Sequence, residues 1–198
     1  PSESYHVIDE GHRLAGEVLA QGSSSHHLQG ARTWLDSLVK MTHGMGSHGD
    51  EDYQTDIGNW PERIVEQSEA LKRLLQQVYA LVGQHPELSI SSSQTNTQRS
   101  NNNQNDKRLS SYRFPHGQLP EYFHEIGAQL LTTSTTLSDA LAKAYDITQQ
   151  ALNRMQASDL IKQQSDLGLF KERVSNVVKT WHLLLDTNQK PPKAKWLN

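Results

Sequence analysis

The sequence predicts an all-α protein, an antiparallel helical bundle of four to five helices with one long helix and a disordered polar loop. Three observations carry this prediction. Apolar residues recur at helical spacing in five separate segments. One of those segments keeps a seven-residue rhythm across more than thirty residues. No stretch combines strand-like alternation with turn signals.

A first helix is expected over about Ser4–Ala20, with Val7, Ile8, Leu14, Ala15, Val18 and Leu19 as its stripe. Gly22 and Ser23–Ser25 end it. A second covers about His27–Thr42 through Leu28, Ala31, Trp34, Leu35, Leu38, Val39 and Met41. It runs into the glycine-rich segment Gly44–Gly49 and the acidic Asp50–Asp52. A third helix begins near Asn59, an N-cap residue, with Pro61 in the first turn and Glu62 placed for a capping box. Its stripe is Trp60, Ile64, Leu71, Leu74, Leu75, Val78 and Val82, and Gly83 supplies the stop.

The fourth is the long helix, from Pro120 and Glu121 to about Ala157. Leu119, Phe123, Ile126, Leu130, Thr133, Leu137, Ala140, Ala144, Ile147 and Ala151 alternate at spacings of four and three. Tyr122, Leu131, Leu141, Tyr145, Leu152 and Met155 widen this stripe. Such a helix is roughly 50–60 Å long at 1.5 Å per residue, and so wide an apolar face requires cover. The Thr132–Thr136 run is a poor helix former, so a kink is expected there. Residues 158–166 read as a short helix or turn. A fifth helix over about Leu167–Leu185 carries Phe170, Val174, Val177, Val178, Trp181 and Leu184.

These elements divide the chain into a three-helix segment over 1–88, a flexible loop over 89–117, a second helical segment over 118–187 that packs on the first, and an extended basic tail over 188–198. Within the loop, seventeen of the 23 residues of Ser89–Ser111 are Ser, Thr, Asn or Gln. That tract cannot bury enough apolar surface to offset the entropy of ordering it. The tail contains Pro191-Pro192 and three lysines, which favour an extended arm.

The 198 residues suffice for one domain or two small ones. Mean hydropathy is −0.72 and net charge −3, with pI about 6.4. That balance argues against a general nucleic-acid or anionic-membrane partner. The chain has no cysteine, which removes disulfides, thiolate metal sites and thiol nucleophiles and points to a reducing, cytoplasmic setting. No Asn-x-Ser/Thr acceptor and no apolar run of roughly 20 residues occur. From the start at Pro1 rather than Met, a fragment or processed product is expected.

Motifs for chemistry are sparse. Gly44-Met45-Gly46-Ser47-His48-Gly49 matches G-x-G-x-x-G in letters only. It follows a helix and precedes acidic residues, whereas a dinucleotide loop joins a strand to a helix. His43, His48, Asp50, Glu51, Asp52 and Asp56 are metal-ligating types, but glycines leave them unpositioned. The Glu-x-x-His spacing occurs at Glu3–His6 and Glu121–His124, but no di-iron site is expected, and no G-x-S-x-G elbow supports a serine nucleophile. No catalytic residue, cofactor or metal site is therefore expected.

The expected function is a non-enzymatic interaction, scaffold or adaptor module, a bundle that presents interhelical grooves to a partner's helix or peptide within a larger regulatory protein. Leu141, Ala144, Tyr145, Thr148, Leu152 and Met155 are the expected partner-binding stripe, since the long helix outruns its neighbours. If that stripe stands bare, a partner helix or a homodimer must cover it. Trp34, Trp60 and Trp181 belong to the core, while Trp196, in a basic arm, docks on its own bundle or on a partner, or leads into another domain. Lys107-Arg108-Leu109-Ser110-Ser111 offers Ser110 and Ser111 to a basic-directed kinase. A bacterial secreted effector that binds host proteins is an alternative reading. A small-molecule or metal sensor is a lesser one, with Ser68, Thr133 and Thr148 as candidate buried polar groups whose hydroxyls can equally bond back to their own helix.

Overall fold

The computed structural model describes residues 28–47, 49–84, 112–155, 157–187 and 195–197. The predicted helix over Ser4–Ala20, the polar tract Ser89–Ser111 and most of the tail over 188–198 lie outside the described residues. Five α-helices follow in order: α1 (Leu28–Thr42), α2 (Glu51–Ile57), α3 (Trp60–Gln84), α4 (Glu121–Arg154) and α5 (Ser158–Leu185). Strand β1 (Tyr112–Arg113) pairs antiparallel with β2 (Trp196–Leu197), and a 3-10 turn spans Pro115–Gly117. The architecture is an all-α helical bundle, and none of its described helices is long and apolar enough to cross a membrane.

The α4–α5 pair forms the largest interhelical contact, followed by α3 with α4 and α1 with α3. α4 and α5 run antiparallel. Gly127 near the start of α4 lies against Trp181 and Leu185 near the end of α5, while Thr148 faces Gln163 at the other end. A Cβ at Gly127 would meet Leu185 Cδ2 at 2.9 Å, so the missing side chain is what lets the helices approach there. α3 turns Ile64, Ser68, Leu71, Leu75 and Val78 inward at spacings of four and three. α1 contributes Ala31, Leu35 and Leu38 to the same core. Outside that core Lys72 of α3 donates to Asp36 of α1 at 2.6 Å and to Glu69 at 2.9 Å. The bond to Asp36 holds the Lys72 ammonium above the ordinary lysine value and the Asp36 carboxyl below its own.

Both ends of the α4–α5 hairpin return to one place. Phe114 N–H donates to the Lys195 carbonyl at 3.0 Å, extending the β1–β2 ladder by one bond. Lys195 is buried and its Nζ donates to the Asp186 carbonyl at 2.9 Å. Phe114 lies edge-on to Phe123, with centroids 5.8 Å apart. The end of the expected loop over 89–117 therefore folds into β1 and the 3-10 turn.

Three boundaries and one expected kink differ from the sequence expectation. α5 begins at Ser158, so residues 158–166 belong to it and the bundle has two long helices. The α4–α5 turn contains no Gly or Pro to announce it. α4 ends at Arg154, short of Ala157, with Met155 already extended. The acidic stretch after Gly49 is helix α2. Within α4 the Thr132–Thr136 run is continuous helix. Thr132, Ser134, Thr135 and Thr136 each donate to the carbonyl four residues back, at 2.7–3.0 Å. Those bonds satisfy the hydroxyls without leaving the helix.

The seam of α4 also departs from the heptad reading at two positions. Ser134 and Thr148 are fully buried, while Thr133 and Ile147 sit at the margin. Spacing by apolar letters selected Ile147, but packing selects the residue whose Cβ faces the neighbouring helices. Small hydroxyl residues fit this close seam. Ser134→Val, which enlarges a filled position, is expected to cost about 1–3 kcal/mol, and Thr133→Val to stay within about 0.5 kcal/mol. Urea denaturation of both variants checks the register.

Candidate functional site

The sequence-expected partner stripe is largely internal. Leu141, Ala144 and Thr148 have no exposed surface, and Tyr145, Leu152 and Met155 are half-buried. Within the described residues the stripe does not stand bare. α5 starts at Ser158 rather than Leu167, and α2, absent from the sequence reading, covers the tip. The condition set for a homodimer on this stripe is thus not met within the described structure. Tyr145 lies at the edge, its ring 5.0 Å from Lys171 Nζ and beside Gly168. Trp196 is placed in β2, opposite Arg113. Ser110 and Ser111 lie outside the described residues. Trp181 is buried, while Trp34 and Trp60 are half-buried.

The richest cluster of polar contacts is at the α4–α5 tip under α2. Asp50 is the N-cap of α2 and its carboxylate accepts from Tyr53 N–H at 2.7 Å. Glu51 and Asp52 follow in the first turn, where the helix dipole favours negative charge. These acidic residues, read in the sequence as a loop, are the start of a helix. The signal available was an Asp cap followed by two acids, with Gly58 as the stop.

Two inward residues anchor α2: Tyr53, with no exposed surface, and Ile57, at 2%. The Tyr53 hydroxyl meets α4 and α5 at once. Gln163 Nε2 donates to it, and it lies 3.5 Å from Thr148 Oγ1. Thr148 Oγ1 donates to the Ala144 carbonyl at 2.8 Å. Gln163 Nε2 is also 3.5 Å from Thr148 Oγ1. Three elements therefore share one buried chain of hydrogen bonds, in which Gln163 gives to Tyr53, Tyr53 to Thr148 and Thr148 to its own helix. Ser68 likewise bonds back to the Ile64 carbonyl at 2.6 Å.

Outside this chain, Arg154 near the end of α4 grips α2. Its Nη2 is 3.3 Å from Asp50 Oδ1, its Nε 3.4 Å from Asp50 Oδ2, and its Nη1 3.8 Å from Asp56 Oδ2. The Tyr53 amide, and then Arg154, holds the Asp50 carboxyl below the usual carboxylate range. The bond to Asp50 holds Arg154 above its ordinary value, with the charges of Asp50, Asp52 and Asp56 adding to it.

A second, shallower feature is an open cleft of about 260 Å³ between α3 and α4. Trp60, Arg63, Glu66, Gln67, Thr136, Asp139 and Ala140 line it. Arg63 stacks on the Trp60 ring at 4.9 Å. Its lining mixes both charges with one aromatic face, a surface suited to protein contact more than to enclosing a small molecule. Among the described residues, no three His, Asp or Glu side chains converge on one point.

No protein-family model matches the chain. The chain is 23% identical over 203 aligned residues to an ATP-dependent DNA helicase, DinG, of Photobacterium profundum. The alignment covers all of this chain and 26% of that protein, so the chain spans about a quarter of its relative's length.

The depressed Asp50 value fixes the sign of a pH effect. A carboxyl whose folded pKa is lowered adds stability above its unfolded value, about 3.9, and that stability is lost as pH falls through the folded value. Asp50→Asn is therefore expected to lower the melting temperature at pH 7. The gap to the wild type should close progressively below about pH 4. Thermal melts followed by circular dichroism across that range check it.

Proposed function

We propose that this chain is a non-enzymatic, protein-contacting helical module that works as one part of a larger protein of its relative's kind. The observation that carries this reading is the proportion of the match: all of this chain corresponds to a quarter of an ATP-dependent DNA helicase. An ATP-dependent motor of the P-loop type holds phosphates with G-x-x-x-x-G-K-[ST] between a strand and a helix. No glycine of this chain precedes a lysine. In this reading, nucleotide chemistry belongs to the rest of such a protein, and this quarter supplies shape and contacts.

The hairpin geometry supports such a role. α4 and α5 form a long antiparallel pair, and β1 and β2 pair beside its base. A rigid pair joined at one end transmits position from its base to its tip. The net charge of −3 favours protein contacts over a grip on DNA by the module itself. The cysteine-free sequence supports a cytoplasmic setting.

The purified chain is expected to release no phosphate from ATP, with or without single-stranded DNA. It is also expected to leave the anisotropy of a labelled single-stranded oligonucleotide unchanged up to about 10 μM protein near physiological salt, within the 10⁻⁴–10⁻⁶ M range of most non-specific binding. ATP turnover would contradict the non-enzymatic reading, and sub-micromolar DNA binding would contradict the assignment of its contacts to protein.

A further inference from the structure

Helix α2 is built unlike the rest of the bundle. It has seven residues, too few to hold helical structure by itself. Glycines that L side chains cannot readily replace flank it. Gly49 has φ +115°, and a Cβ there would fall 2.5 Å from Tyr53 Cδ1; Gly58 has φ +44°. Its hold on the bundle is concentrated in Tyr53, Ile57 and the ion pairs of Arg154. The surface beneath it offers polar groups, Thr148 Oγ1 and Gln163 Nε2, and both end on Tyr53.

We propose that α2 is a hinged cover seated in a docking site at the α4–α5 tip, and that a partner's acidic amphipathic helix takes its place there. The partner's chemistry is given by the present occupant. An aromatic hydroxyl meets Thr148 and Gln163, a branched aliphatic residue four positions later sits on the same face, and carboxylates before and after meet Arg154. The site includes Thr148 from the stripe that the sequence marked as partner-facing. The inference rests on the reading of the chain as a protein-contacting module, and it names the partner class for that reading.

The absence of native cysteine allows a clean test in the full chain. Thr148→Cys places a thiol under α2, and Ser134→Cys places one in the seam, equally buried but distant from α2. With an excess of thiol reagent, Thr148→Cys is expected to label at least about tenfold faster than Ser134→Cys, because local opening is less costly than global unfolding. Adding Arg154→Ala should accelerate Thr148→Cys several-fold and leave Ser134→Cys unchanged. Gln163→Cys serves in the same way if Thr148→Cys does not fold. Equal rates at the two positions would overturn the hinged cover.

A peptide of residues 49–59 tests the occupant. It must compete with a tethered segment whose effective concentration is in the millimolar range, so it is added at about 1 mM or above. It should slow labelling of Thr148→Cys, while the same peptide with Ala in place of Tyr53 and Ile57 should not. No difference between the peptides would overturn the docking site. Neither arm involves ATP or DNA, so failure of this inference and failure of the module reading are separately visible.

Discussion

The seam of α4 is the constraint on which the rest of the structure depends. A 34-residue helix with an apolar stripe along its length cannot stand in water, and α5, α3 and α2 are placed to relieve it. α5 covers it from end to end, α3 covers another flank and α2 closes the tip. The seam is built for close approach. Large residues (Phe123, Leu130, Leu137, Leu141) are interspersed with small ones (Gly127, Ser134, Ala140, Ala144, Thr148, Ala151), all buried. Alternating large and small residues across a helix contact fill the space without voids.

Polar groups inside the bundle mark where packing must be specific as well as tight. Ser68 and Ser134 bond only to their own helices and leave nothing unsatisfied. Tyr53, Thr148 and Gln163 differ, because their bonds cross between α2, α4 and α5. A buried donor left without its acceptor costs about 1–3 kcal/mol, so this chain of bonds sets how α2 sits while it is in place. Arg154 adds an outer, solvent-screened hold on the same helix, of the kind that weakens with salt. The tip therefore combines a buried specific contact with an exposed, tunable one.

Much of the fold was legible because helical periodicity reports burial directly. The seams of α1, α3 and α4 follow apolar residues at spacings of three and four. Three features escaped that signal for separate reasons. The α4–α5 turn contains neither Gly nor Pro, so the sequence places the start of α5 at Leu167, beyond the polar stretch Lys162–Asp166. α2 has only two inward residues, Tyr53 and Ile57, too few to register as a stripe. Ser134 and Thr148 replace apolar letters at seam positions, which shifted the reading to Thr133 and Ile147. The candidate site suffered most, because Thr148 is covered by Tyr53 of α2 and Gln163 in the first turns of α5, the parts with the weakest local signals.

The central claim is that the α4 stripe is interior, and a charge placed in it tests that claim most directly. Leu141→Asp would set a carboxylate at a position with no exposed surface and no cation assigned to it. An unpaired buried charge costs several kcal/mol, comparable with the whole stability of a domain. Circular dichroism of the Leu141→Asp chain should therefore show loss of the cooperative helical melt at pH 7. A variant that melts like the wild type would mean that the stripe faces water or a partner, and would contradict the account.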